Sequence, residues 1–225
     1  MKRDAAERAV EEYVESGMVV GIGTGSTASY AVRRIGNLLA NGELKDVRGV
    51  ATSERTAALA GEVGISLLAL SEARPLITID GADEIGPNLS LIKGRGGALL
   101  REKIVAYTSS GGLVVIADES KLVESLGVGV LPVEIEPFGW ETTLEALEAL
   151  GCESELRMDG EGSNRPFVTD CGHYTADCLF PSIPDPAGLE GEIKRIPGAL
   201  ESGLFVGLVR VAVVSHPDGT EIVKA

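Results

Sequence analysis

Short apolar runs and helical stripes take turns through the first half of the 225-residue chain. Ala6, Val10, Tyr13 and Val14 mark a helical stripe over Ala5–Ser16, and Gly17 supplies a stop. Met18–Ile22 reads as a short buried strand, and Ala31, Val32, Ile35, Leu38 and Leu39 as the inner face of the helix after it. Further strands are predicted over Val47–Ala51, Ile65–Leu70, Leu76–Ile79, Leu89–Ile92 and Leu113–Ala117, with helices over Ser53–Val63 and Gly97–Ser109. In the second of these helices Leu100, Ile104 and Tyr107 are expected to form the packed stripe, leaving Glu102 on a face with the small residues Ala98 and Ala106. Short buried strands alternating with helices argue for an open, mainly parallel sheet covered on both faces, an α/β fold of three layers. Ligands of such sheets bind beyond the carboxyl ends of the strands.

The pattern changes after Val128. Strands over Leu131–Ile135, Ser154–Asp159, Phe167–Asp170 and Tyr174–Phe180, with helices over Glu141–Leu150 and Leu189–Ile196, read as a small α+β unit. Leu204–Val214 and Thr220–Val223 are strand-like again and are placed to rejoin the first sheet. The expected organisation is a larger domain of residues 1–127 plus 204–225, a smaller one of 128–203, and a cleft between two lobes.

Composition narrows the class. A 44% hydrophobic content fits a globular chain with a sizeable core, and no apolar run is long enough for a bilayer. The start, MKRDAAERAVEEYV, lacks the apolar stretch of a secretory signal, so a cytoplasmic protein is expected. Cys152, Cys171 and Cys178 are odd in number and lack C-x-x-C spacing, which disfavours a disulfide framework or zinc site. A formal net charge of −14 repels nucleic acid and anionic membranes, so neither is an expected partner. It also repels a phosphorylated metabolite at long range, so any phosphate site must rest on local donors.

Four strand ends supply such chemistry. Gly23-Thr24-Gly25-Ser26-Thr27 lets the backbone approach an anion and points hydroxyls and a helix N-terminus at it, although a tight turn with Ser26 as the helix cap would look the same. Asp80, Asp83 and Glu84 crowd three carboxylates after an apolar strand, suited to proton transfer or to a metal, and Glu84 fits a solvated acidic turn. Lys93-Gly94-Arg95-Gly96-Gly97 combines two cations and three glycines, enough to wrap an oxyanion. Lys121 follows the strand Leu113–Ala117. Together they argue for a small phosphorylated ligand that exchanges protons.

The stretches VGIGTGSTA, ATSERT, ITIDGADEI, LIKGRGGALLREKIVA, IADESKLV, LPVEI, RIPGALESGLF and HPDGTEIVK run in order over nearly the whole chain. This series resembles ribose-5-phosphate isomerase of the A type, and DGADE followed by KGRGGALLREK is its most specific part. The resemblance implies a Rossmann-like sheet domain with a small ferredoxin-like lid, a homodimer or homotetramer, and no metal or other cofactor. It implies interconversion of ribose 5-phosphate and ribulose 5-phosphate. Carried over by position, phosphate binding falls on Thr24, Gly25, Ser26 and Thr27 with Lys121, sugar binding on Asp80, Gly81, Ala82 and Asp83, and the oxyanion loop on Lys93, Gly94, Arg95 and Gly96. Glu102 becomes the base that moves a proton between C2 and C1 through a cis-enediolate, and Asp80 and Lys93 assist ring opening. The basic residue near the N-terminus is Lys2 or Arg3. Two departures stand out: Arg95 adds a charge where many members carry glycine, and TDCGH replaces the usual TDNGN.

Other readings have sequence tests. A nicotinamide dehydrogenase needs an acid ending the second strand, where this chain has Ala51-Thr52-Ser53 and only Glu54 follows. A sugar-phosphate-sensing regulator needs a DNA-binding segment, and fewer than twenty residues precede the first strand. A metal-dependent isomerase would have to use Asp80, Asp83 and Glu84 without histidine partners.

Overall fold

The structure is a computed structural model describing residues 1–224. In chain order it begins with helix α1 (Lys2–Tyr13), strand β1 (Val19–Ile22), α2 (Ala28–Ala40), β2 (Arg48–Ala51), α3 (Glu54–Glu62), β3 (Ser66–Leu67) and β4 (Ile77–Gly81). Short strands β5 (Glu84–Ile85) and β6 (Leu91–Ile92), helix α4 (Leu99–Thr108) and strand β7 (Leu113–Asp118) follow. Then come β8 (Leu131–Ile135), α5 (Trp140–Glu148), β9 (Glu153–Leu156), β10 (Tyr174–Leu179), α6 (Pro186–Ile193), β11 (Ala199–Ser202), β12 (Leu204–Phe205), β13 (Val209–His216) and β14 (Gly219–Lys224). The chain divides into two compact units, one of Met1–Ala82, Arg101–Leu122 and the chain from Gly207 on, the other of Asp83–Leu100 and Val123–Val206. This division passes through α4 and assigns residues 83–100, 123–127 and 204–206 to the smaller unit, unlike the boundaries expected from the sequence.

The first unit holds a seven-stranded sheet in the order β14-β13-β7-β4-β1-β2-β3. Every neighbouring pair is parallel except β13 with β14. The interior strand β7 is buried along its whole length. Each Val or Ile sealed in such a strand contributes about 1.5–3 kcal/mol relative to an exposed position. Helix α1 lays Ala5, Ala6, Ala9 and Val10 over β7 and β13, and its alanines allow close approach. The strand order reverses between β1 and β4, which makes their carboxyl ends the topological switch point of the sheet.

The second unit contains the succession β8-α5-β9-β10-α6-β11, folded as an antiparallel sheet in the order β11-β8-β10-β9. This is the ferredoxin-like arrangement. Leu131, Val133 and Ile135 of β8 and Ala176 and Cys178 of β10 face one core, so Thr175 and Asp177 face the other way.

Four expectations need correction. Leu89–Ile92 does not extend the large sheet: Leu91 and Ile92 pair with β5 and β12 in a separate three-stranded sheet of the second unit. The strand expected over Leu204–Val214 is broken at Gly207, whose φ of +67° no strand accommodates. Phe167–Asp170 is not a strand, because the Thr169 hydroxyl accepts from the N–H groups of Cys171 and His173 and closes a turn. In α4 the packed stripe is Leu99, Glu102, Val105 and Ala106, whereas Ile104 and Tyr107 are 44% and 77% exposed.

Candidate active site

In the first unit the candidates gather at the switch point. Asp80, in β4, is buried, and its Oδ1 accepts from the N–H groups of Thr24 at 3.1 Å and Gly81 at 2.7 Å. A Cβ at position 23 would lie 2.1 Å from that oxygen, so glycine there is what admits the carboxylate. The Thr24 hydroxyl turns inward: it donates to Ser53 Oγ at 2.7 Å and lies 2.7 and 3.1 Å from the hydroxyls of Thr52 and Thr56. Thr24 therefore ties the loop to β2 and α3, with both its N–H and its hydroxyl already engaged.

Gly25, at φ +116°, then turns the chain into α2. Thr27, not Ser26, is the cap residue of that helix, and its hydroxyl makes no capping bond. Lys2 Nζ reaches Ser26 Oγ at 3.2 Å while Arg3 pairs with Glu7, so Lys2 is the basic residue placed at the loop. Lys121 sits in the 3₁₀ turn after β7. Asp118 begins that turn, and the Ser120 hydroxyl holds its carboxyl below the usual range, with Lys121 and Lys2 adding to the effect. The two lysines, Ser26 and the start of α2 thus make a cationic, donor-rich corner in a strongly acidic chain.

Glu102 also belongs to this unit. Only 4% exposed, it lies one turn before Val105 on the packed face of α4. Val105 rests against β1, where a Cβ on Gly21 would come 2.7 Å from its methyl. The Ser109 hydroxyl, 2.7 Å from that of Thr78 in β4, clamps the next turn.

The second unit carries the other group. Lys93 is buried, donates its N–H to the Gly203 carbonyl at 2.8 Å, and holds Nζ 5.4 Å from the ring centre of Phe205. Arg95 N–H donates to Asp83 Oδ2 at 3.0 Å, and Gly97 N–H to the Gly94 carbonyl at 3.0 Å. Among the described residues nothing accepts from the N–H groups of Gly94, Gly96 or Ala98. The Arg95 side chain does not add an uncompensated charge: it lies 3.5 Å from Glu84. Glu84, expected in a solvated turn, is buried and also accepts from the N–H groups of Gly127, Val128 and Gly129. Among the described residues no group of three or more His, Cys, Asp or Glu is placed to hold a metal ion.

Residues 48–219 match the family described as Ribose 5-phosphate isomerase A (phosphoriboisomerase A). The chain belongs to the ribose 5-phosphate isomerase A family. It is 52% identical to "Ribose-5-phosphate isomerase A" of Gloeobacter violaceus, over 99% of this chain and 95% of that one. It superposes at a TM-score of 0.94 and 43% identity on "Ribose 5-phosphate isomerase from Plasmodium falciparum", covering 100% of this chain and 97% of the other. A further structure, a D-ribose-5-phosphate isomerase with phospho-erythronic acid, matches at a TM-score of 0.95 and 38% identity, covering 100% and 97%. Ribose 5-phosphate isomerases of this family interconvert ribose 5-phosphate and ribulose 5-phosphate in the pentose phosphate pathway. The position at which a dehydrogenase would bind ribose holds Thr52, whose hydroxyl donates to the Ile22 carbonyl.

Sequence reasoning missed two residues of the second unit. Arg157 and Asp177 form a side-chain pair, and Arg157 also reaches the Lys93–Gly97 loop. Asp177 had a signal, since it alternates with core-facing Ala176 and Cys178 and so had to face elsewhere.

Proposed function

We propose that Glu102 carries the proton between C2 and C1 of the acyclic sugar phosphate, giving a cis-enediolate as the intermediate. The single observation supporting it is the burial of that carboxylate on a clamped helix that starts directly after the Lys93–Gly97 loop in the chain. A buried carboxylate has lost much of its hydration, which strengthens it as a base. The negative charge that develops on the oxygen at C1 or C2 falls to Lys93 and to the N–H groups of Gly94, Gly96 and Ala98, since those of Arg95 and Gly97 are engaged elsewhere. Asp80 and Lys93 move the ring-oxygen and hydroxyl protons when the aldose opens, and Asp83 binds sugar hydroxyls alongside Gly81 and Ala82. The phosphate goes to Ser26, Thr27, the first N–H groups of α2, Lys2 and Lys121, with Thr24 and Gly25 shaping the loop. Assembly as a homodimer or homotetramer is the family reading. The free thiols of Cys152, Cys171 and Cys178 fit the reducing cytoplasm.

Glu102→Gln tests the assignment, because it keeps size and hydrogen bonding but removes the basic oxygen. The variant is expected to keep its fold and KM while kcat falls about a hundredfold or more, the scale of a lost general base. Exchange of the C2 proton of ribose 5-phosphate with deuterated solvent, followed by NMR, should disappear. Exchange at close to the wild-type rate would move the role to another carboxylate.

A further inference from the structure

Arg157, which follows β9, has no part in the mechanism above, yet its guanidinium is almost fully committed. Nε donates to Asp177 Oδ2 at 2.8 Å and Nη2 to Asp177 Oδ1, while Nη1 donates to the carbonyls of Gly94 at 3.1 Å and Arg95 at 3.2 Å. The two side chains are 14% and 15% exposed. The Phe167 ring lies 5.9 Å from the guanidinium carbon and closes against Gly97, where a Cβ would stand 2.3 Å from the ring.

Peptide planarity gives these contacts a consequence. In a trans peptide the C=O of one residue and the N–H of the next point to opposite edges of one plane. Drawing the Gly94 carbonyl toward Arg157 therefore sends the Arg95 N–H the other way, and there it meets Asp83 Oδ2. Drawing the Arg95 carbonyl toward Arg157 sends the Gly96 N–H the other way, and among the described residues that group meets no acceptor. One guanidinium thus fixes two successive peptide planes. Only a planar fork can hold a carboxylate on one edge and two carbonyls on another, whereas lysine offers a single ammonium.

We infer that Arg157, anchored by Asp177, is a positioning residue of the reaction: it sets the loop peptides so that the Gly96 N–H faces the developing oxyanion and the Arg95 N–H orients Asp83. The inference rests on the reading that the Lys93–Gly97 loop stabilises the enediolate. It assigns a catalytic consequence to an ion pair that itself need not touch the substrate. Oriented donors act on charge that appears only during reaction, so their misplacement lowers kcat more than it raises KM.

The test compares Arg157→Lys, Asp177→Asn and Lys93→Met in the full chain, reading kcat, KM, Tm and two dissociation constants. The ligands are inorganic phosphate and phospho-erythronic acid, whose carboxylate puts a fixed negative charge where the enediolate develops one. Arg157→Lys and Asp177→Asn should each lose about ten- to a hundredfold in kcat, the scale of a small misplacement in a site. Phospho-erythronic acid should weaken in step, with KM and the phosphate constant within about twofold and Tm near wild type. Wild-type kcat and analogue affinity in both variants would overturn the inference, as would a loss of phosphate affinity equal to that of the analogue, which marks general damage. If Arg157→Lys fails to fold, Asp177→Asn alone decides. Lys93→Met at wild-type kcat would instead sink the loop's role in the reaction, whatever the Arg157 variants do.

Discussion

Single residues at the switch point divide between those that brace the loop and those proposed to hold the ligand, although they are adjacent in sequence. Thr24 spends its N–H on Asp80 and its hydroxyl on the web of Thr52, Ser53 and Thr56. Thr24→Val strands those buried partners and should lower stability by about 1–3 kcal/mol, measured by urea unfolding. Lys121 and Lys2 have the opposite role in the proposed function: Lys121→Ala should raise KM for the sugar phosphate well beyond its effect on kcat, the mark of uniform binding, and leave stability near wild type. A Lys121→Ala enzyme with unchanged KM would take the phosphate away from this corner. The sequence made these residues visible as a cluster of glycines and hydroxyls. It did not separate Thr24 from Ser26, because the separation comes from hydroxyls of Thr52 and Thr56, about thirty residues away in the chain. Glu84 was misread for the same reason. Its acceptors are filled by N–H groups at positions 127 to 129, more than forty residues on, and local polarity alone looks like solvent exposure.

Among the elements, the 3₁₀ turn Glu119–Lys121 shows how a short segment is fixed at its start by two partners. Asp118 accepts from Ser120 at its start, and Glu119 lies 2.8 Å from Nδ1 of His216 at the end of β13. The Glu119 carboxylate is the main reason the His216 pKa is raised. A raised folded-state pKa means that the fold favours the protonated ring. The stabilisation is therefore complete below the unfolded value of about 6.5 and fades as pH rises through the folded value. The Tm gap between the wild type and His216→Gln should accordingly be wider at pH 5.5 than at pH 9, and an equal gap at both would remove the pair from the account. Helix α4 teaches the opposite lesson about legibility. Its existence was plain from the apolar spacing, but Ile104 and Tyr107 drew the predicted stripe to the wrong face. The true face is set by small contacts, Gly21 against Val105 and Thr78 against Ser109, which let a carboxylate share it.

For the molecule as a whole, the order of strands was more legible than their limits. Valine- and isoleucine-rich runs announced β1, β2, β4, β7 and β13, whereas the break at Gly207 needed a backbone conformation that composition does not encode. The placement of β13 has a further consequence. It lies between β7 and β14 in the large sheet, yet nearly a hundred residues, most of them in the smaller unit, separate it from β7 along the chain. On a ribosome making about 5–20 residues per second, β7 therefore waits for seconds with one edge bare while the intervening chain is synthesised. An apolar, unpaired strand edge is a hazard in such a partly made chain, and the smaller unit can form its own core before the larger sheet is closed. A nascent chain arrested after Val206 should hence bind a chaperone through the β7 edge, and release it only once β13 has emerged.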